Sequence, residues 1–284
     1  MDDTPYLMRG IRQIPTDSSV LISSSPYLND PRIRDWVATH MLRRSGQDRP
    51  SPSDSIILVG LLREVQDIGR IEEMLVAERK RNAALDRWFA EGFVSTFTRE
   101  DLAGCPPGSV GGVFHRYLAE KGFEVDLVPR YTPKTNYDYF QFRAGQTHDL
   151  EHVICGGGFD YIGELVPYYM RLTNLFKHLS PELAGELSVF SILGATRIMT
   201  RSVLHYPQTW PTVLETVERG SRVGKASGPI FMARYEDVLQ LPLAEARRRL
   251  GVEGAQDVDT SAASAIWEEI VPPHDDPALR LWRP

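Results

Sequence analysis

The chain has 284 residues, 42% of them hydrophobic and 25% charged, and carries a formal net charge of −6. That is enough apolar mass for a real core, and the acidic balance provides no basic footprint for nucleic acid. Two cysteines, Cys105 and Cys155, give no disulfide framework, and apolar runs such as 56–62 and 189–193 are far too short to span a bilayer.

The opening MDDTPYLMRG has neither an apolar signal core nor the basic character of a transit peptide, so a bacterial cytoplasmic setting is expected. Residues 1–30 are rich in Ser, Pro and Asp and read as an irregular arm. A short helix is predicted over 30–43, then a linker over 46–53, with Ser53 or Asp54 placed to cap the next helix. Ile57, Leu61, Leu62, Val65, Ile68 and Ile71 keep helical spacing, and the pattern runs on through Met74 to Leu75. Residues 79–92 read as a further helix with Leu85, Trp88 and Phe89 on one face. The GCPPGSVGG stretch at 104–112 lacks the Lys-Ser/Thr of a phosphate-binding loop and reads as a turn into a helix over 113–121. Residues 125–135, with Pro129 and Pro133, read as an extended connection. After a segment opening at 137–143, helices are predicted over 159–179, 182–205, 210–222, 230–235 and 242–250, the last ending at Gly251. From Asp257 the tail is mixed and ends Pro-rich. No repeat is evident and nothing demands a sheet. The expected architecture is all-α, a single-domain helical bundle over 31–284 with an irregular N-terminal arm over 1–30.

The richest chemistry lies in THDLEHVICGGGFDYIGEL at 147–165, which holds His148, Asp149 and His152, with Glu164 twelve residues on. Two imidazoles and two carboxylates suit zinc, and iron or manganese accepts the same mixture. On a helix, His148 and His152 share one face and Asp149 falls within the same arc of about 100°. Glu164 must come from a second element, and Gly156, Gly157 and Gly158 are a natural break between the two. Spacing alone equally admits a polar helix turn with Asp149 as a dipole residue. A helical zinc-protease signature is disfavoured, because Asp149 stands where that motif has Glu. Glu151 reads as a solvated charge and Cys155 as a buried thiol. Arg143, five residues before His148, can pair with a substrate carboxylate or form an ordinary ion pair. Tyr139, Tyr161, Tyr168 and Tyr169 can line a ring pocket or belong to the core. The apolar stretch 187–204 reads either as one wall of a lipid slot or as a buried helix.

His-Asp-x-x-His with Glu twelve residues on resembles the motif of the coenzyme Q (ubiquinone) biosynthesis protein 4 family. PPGSVGGVFHRYLAEKGF at 106–123 is similar to that family's Pro-Pro-Gly segment. Trp210, the Gly220-Ser221-Arg222 triplet and the stretch from Arg234-Tyr235-Glu236 to Leu250-Gly251-Val252 are similar to its C-terminal half. The resemblance covers residues 95–252 and leaves the N-terminal residues before them unplaced. It departs from the family pattern after Glu164, where LVPYYMR is poor in charge and sets Pro167 inside a predicted helix. It implies an α-helical, intracellular protein whose His148, Asp149, His152 and Glu164 bind one divalent ion, zinc foremost, with iron, manganese or cobalt as substitutes. It also implies metal-dependent oxidative decarboxylation of a polyprenylated 4-hydroxybenzoate precursor, in which ring carbon 1 exchanges its carboxylate for a hydroxyl. Glu164 and Arg143 are then the expected catalytic residues. The rival expectation is a non-catalytic lipid-binding organiser of a quinone-making complex, with a structural ion. The expected partners are the polyprenylated aromatic lipid, other quinone-biosynthesis enzymes, the cytoplasmic face of the inner membrane through peripheral contact, and a second copy in a homodimer.

Overall fold

Capping side chains decide where several helices of this chain start. The computed structural model describes residues 23–41, 44, 54–127 and 130–268. In chain order the helices are α1 (Pro26–Asn29), α2 (Pro31–Met41), α3 (Asp54–Val65), α4 (Ile68–Arg81), α5 (Ala83–Glu91), α6 (Arg99–Ala103) and α7 (Val110–Lys121). There follow α8 (Asn136–Cys155), α9 (Leu165–His178), α10 (Pro181–His205), α11 (Trp210–Ala226), α12 (Leu243–Leu250) and α13 (Ser261–Glu268). Among the described residues the fold is all-α, with one isolated antiparallel bridge between Ser109 and Pro242. Most of the expected arm and the expected linker lie outside the described residues, but Pro26–Asn29 forms a helical turn.

The unbroken periodicity from 57 to 75 is two helices. Asp67 accepts a hydrogen bond from the Arg70 N–H at 3.0 Å, so α4 starts afresh there. The helix expected at 79–92 starts only at Ala83, because the Asn82 side chain caps the Ala84 and Leu85 N–H groups at 3.1 Å. Conversely, α7 begins at Val110, ahead of the expected 113, because the Ser109 hydroxyl accepts from Gly112. Residues 230–235 belong to two 3₁₀ turns, Ile230–Met232 and Tyr235–Val238, around an extended Ala233. The mixed tail contains α13, whose Trp267 is buried beside Tyr206. Pro167 does not kink α9: it is the third residue of the helix, where a missing N–H leaves no intrahelical bond unmade.

Helix α9 is the spine of the structure, packed against both α10 and α11. Its Val166 and Met170 meet Leu150, Val153 and Ile154 of α8 and Val223 of α11 in one apolar cluster. Its Leu165 and Tyr168 meet Ile198 of α10, Val213 of α11 and Trp267 in another. The α9–α11 approach is set by Gly220 and Gly224. A Cβ at Gly224 would lie 2.0 Å from Thr173 Oγ1 and 2.4 Å from the Met170 carbonyl oxygen. Gly224→Val is therefore expected to force the helices apart and cost roughly 1–3 kcal/mol, read as a lower denaturant midpoint. An unchanged midpoint would show that this contact yields freely.

By length and composition α10 is long and apolar enough to cross a membrane, which corrects the expectation of no such stretch. Half of its most apolar window is buried against the rest of the chain, as in a core helix.

Candidate metal centre

Thr135 starts α8 by accepting from the Asp138 N–H at 3.0 Å, and Gly156 ends it with φ +84°. That left-handed turn favours glycine, and a Cβ there would also come within 2.5 Å of the Gln256 carbonyl oxygen. Between those ends, His148 and His152 stand one turn apart with ring centroids 5.0 Å apart. The chain then loops through the glycines and delivers Glu164 to the same face. His148 Nε2 lies 3.3 Å from Glu164 Oε2 and His152 Nε2 lies 3.5 Å from Glu164 Oε1. One ligand atom from each of the three residues falls within 4.8 Å of the others. Asp149 is outside that cluster, though its charge reaches His152.

The loop is held by Asp160, which no sequence motif singles out. Its carboxylate accepts from the Ile162 and Gly163 N–H groups at 3.1 and 2.9 Å. It also accepts from the hydroxyls of Thr260 and Ser264, which tie the loop to the start of α13. The Asp160 carbonyl then accepts from the Glu164 N–H at 3.0 Å. The local signal is an Asp two residues before Ile162, an Asx-turn pattern; its two distant hydroxyl partners have no signal at all.

One wall of the site is aromatic. Phe159 stacks on His152 at 5.0 Å, and Tyr117 of α7 stacks on Phe159 at 3.5 Å. Burial first, then the carboxylates of Asp149, Glu164 and Asp160, push the Tyr117 phenol above its usual range. Neither aromatic was singled out by the sequence. Of the tyrosines that were, Tyr139 packs on Trp88 and donates to the Phe93 carbonyl, and Tyr168 is buried in the core. Tyr169 reaches Met199 and Tyr161 lies near Trp267.

Electrostatics couple the three residues. Burial works against the Glu164 carboxylate, but His148 and His152 override it and hold its pKa well below the ordinary 4.5. Burial would lower the His152 pKa, but Glu164 and then Asp149 raise it above 6.5. Glu164 thus stabilises the metal-free fold above pH 4.5, and that contribution is lost as pH falls through its depressed pKa. His152 stabilises it below pH 6.5, and that is lost as pH rises through its raised pKa. Chelator-treated protein is therefore expected to gain most from this cluster between pH 4.5 and 6.5. Melting curves of Glu164→Gln should lack both shoulders, and curves that superimpose on wild type would contradict the coupling.

The residues fit a divalent ion. Glu164 Oε2 is buried and makes no hydrogen bond among the described residues. Two imidazole nitrogens and a carboxylate oxygen that converge from two elements are a donor set for a borderline cation. Side-chain exposure of 14% at His148 and 26% at Glu164, against 1% at His152, leaves one side of the cluster open.

Arg143 is a correction. Its place is five residues, about 140° around the helix, from His148. There it is buried, and its guanidinium is committed to Glu236 at 2.9 and 3.2 Å, with Ser95 and Gln146 completing its partners. It is a structural ion pair and not an anchor beside the histidines. Glu151 is a correction too: it is 1% exposed and paired with Arg171 of α9 at 2.6 Å, not solvated. Cys155 is buried as expected, and burial pushes its thiol far up.

A solved structure of a Nostoc punctiforme protein, provisionally assigned to ubiquinone biosynthesis, superimposes with a TM-score of 0.56 at 20% identity. The match covers 80% of this chain and 99% of that one, and it supports the fold. No curated protein matches the chain. The family model of the coenzyme Q (ubiquinone) biosynthesis protein Coq4 matches residues 50–256, far more than half of the sequence. The chain belongs to the Coq4 family of coenzyme Q (ubiquinone) biosynthesis proteins.

Proposed function

We propose that this protein serves ubiquinone biosynthesis as a metal-dependent oxidative decarboxylase acting on a polyprenylated 4-hydroxybenzoate. The convergence of His148, His152 and Glu164 within 4.8 Å, open on one side, is the observation that carries this reading. A divalent ion there, zinc or one of iron, manganese and cobalt, would supply Lewis acidity to a ring phenolate or carboxylate. The chain's own part is to hold the two Nε2 atoms and the Glu164 carboxylate in register, with the Asp160 loop as support. Asp149, adjacent to His148 in sequence, adds negative charge beside the histidines. Phe159 and Tyr117 offer a flat apolar wall to an aromatic ring and exclude water from that side. The overall change balances with dioxygen as oxidant: 4-hydroxybenzoic ring plus O2 gives the 1,4-benzoquinone (the oxidised form of the hydroxylated ring), CO2 and H2O. The carboxyl carbon leaves as CO2, one oxygen atom bonds to ring carbon 1, and the other leaves as water.

A lipid-binding organiser with a purely structural ion is the rival. The exposed side of the cluster favours catalysis, because structural sites close all their ligand positions. Lipid extracts from a strain lacking this gene, complemented with wild type or His152→Ala, separate the two. A prenylated ring that keeps its carboxyl and is cleared only by wild type supports the decarboxylase. Clearance by both contradicts it.

Peripheral contact with the membrane is part of the same reading, and α3 supports it by leaving Ile56, Ile57 and Val59 about half exposed. Wild type is expected to float with liposomes and Ile56→Ser/Ile57→Ser to float less; a wild type that stays at the bottom of the gradient sinks the idea.

A further inference from the structure

Residues 257–268 follow the family match, which ends at 256, and they return to the glycine loop that delivers Glu164. The segment is pinned there at successive points. Asp257 pairs with Arg247 of α12 at 2.8 Å, and the same guanidinium donates to the Ile154 carbonyl of α8 at 2.8 Å. The Val258 N–H donates to the Gly156 carbonyl at 3.0 Å. Thr260 and Ser264 are 1% and 3% exposed, and both hydroxyls donate to the Asp160 carboxylate. Beyond them Trp267 stacks on Tyr206 at 5.2 Å and donates to the Thr209 hydroxyl at 3.1 Å, just before α11. The fit is close. A Cβ at Gly158 would lie 2.2 Å from Thr260 Oγ1, and one at Gly163 would lie 2.0 Å from the Gly158 carbonyl oxygen.

Asp160 joins this segment to the metal cluster. Two of its donors are the Ile162 and Gly163 N–H groups of the turn into α9, and the other two are the Thr260 and Ser264 hydroxyls. Its carbonyl accepts from the Glu164 N–H at 3.0 Å. The Glu164 side chain caps no helix and turns toward His148 and His152. Its place therefore depends on where the loop sets its backbone. Hydrogen bonds to a charged acceptor are worth more than neutral ones, and leaving the Asp160 carboxylate short of two donors loosens the loop.

We propose that residues 257–268 are a positioning strap for the metal centre. Thr260 and Ser264, acting through Asp160, hold the Glu164 carboxylate against the two histidines and so set the affinity for the ion. They are positioning residues and touch neither ion nor substrate. The inference rests on the metal-centre reading of His148, His152 and Glu164, and extends it to residues beyond the family match.

The full-length protein is titrated with cobalt(II) against a competing chelator, with the visible ligand-field bands as the signal. Hydrogen exchange at the Gly163 and Glu164 amides is followed in the metal-free protein. Thr260→Val/Ser264→Ala removes both hydroxyls at almost constant volume. It is expected to bind cobalt about 10–100-fold more weakly, the range typical of lost partners behind a metal ligand, with altered bands and native helicity. Its two amides are expected to exchange on the order of tenfold faster. Thr260→Ser keeps the hydroxyl and should bind cobalt as wild type does. Should the double variant fail to fold, Thr260→Val and Ser264→Ala singly carry the test, each weakening cobalt part of the way. Wild-type affinity, bands and exchange in the hydroxyl-less variants would overturn the strap and leave the metal centre standing. A wild type that takes up no cobalt would overturn the metal centre, and the strap's role with it.

Discussion

Glu164→Ala is expected to abolish product formation and leave a folded protein. The Glu164 carboxylate faces the two histidines, and its side chain caps no helix: α9 starts beside it without a side-chain hydrogen bond. Deleting it removes the only carboxylate among the three clustered donors and leaves His148 and His152 as a two-nitrogen site. Even an outer partner of a metal ligand is commonly worth 10–100-fold in metal affinity, so a direct ligand is expected to cost more than about 100-fold. Metal content after dialysis, circular dichroism and turnover of the prenylated acid give the readout. Loss of metal and turnover with native helicity supports a catalytic centre. Unfolding of Glu164→Ala would support the structural-ion rival, and retained metal with retained turnover would remove Glu164 from the site.

Glu151→Ala is expected to be the most destabilising change in the neighbourhood. Glu151 is buried in α8 and its carboxylate takes both Arg171 Nε and Nη2 from α9, at 2.6 and 3.1 Å, as well as the Thr147 hydroxyl. Arg171 also donates to the Ala144 carbonyl, so it is stitched to α8 at two levels. Truncating one partner leaves a guanidinium in the interior, and breaking a buried pair in this way costs about 3–5 kcal/mol. In a protein of this size that lowers Tm by roughly 10 °C. The pair also fixes how α9 crosses α8, and α9 begins where Glu164 ends. Metal affinity should therefore fall in Glu151→Ala even though Glu151 points away from the cluster. A loss below about 1 kcal/mol would mean the pair behaves as a solvated surface bridge.

The histidine face was legible because an i, i+4 pair on a helix is a local rule, and because Gly156 announced the break before Glu164. The helical class was legible for the same reason: apolar spacing is local. The features that were not legible depend on partners far along the chain. The sequence position of Arg143 admits a substrate anchor or an ion pair, and only Glu236, 93 residues on, decides for the pair. Glu151 reads as solvated until α9 brings Arg171 over it. Asp160 gains its role from Thr260 and Ser264, about a hundred residues away. The split at Asp67 was missed because the apolar period carries on across it in phase, while a single side-chain cap decides the boundary.

X-ray absorption at the metal edge of protein purified without chelator tests the central claim most directly, with the metal identified by its emission lines. Imidazole scattering from two nitrogens at roughly 2.0–2.1 Å plus oxygen at roughly 2.0–2.2 Å is expected, one ion per chain. The imidazole signal should vanish in a His148→Ala/His152→Ala double variant. No bound metal in wild type, or a spectrum unchanged in the double variant, would contradict a metal centre built on His148, His152 and Glu164.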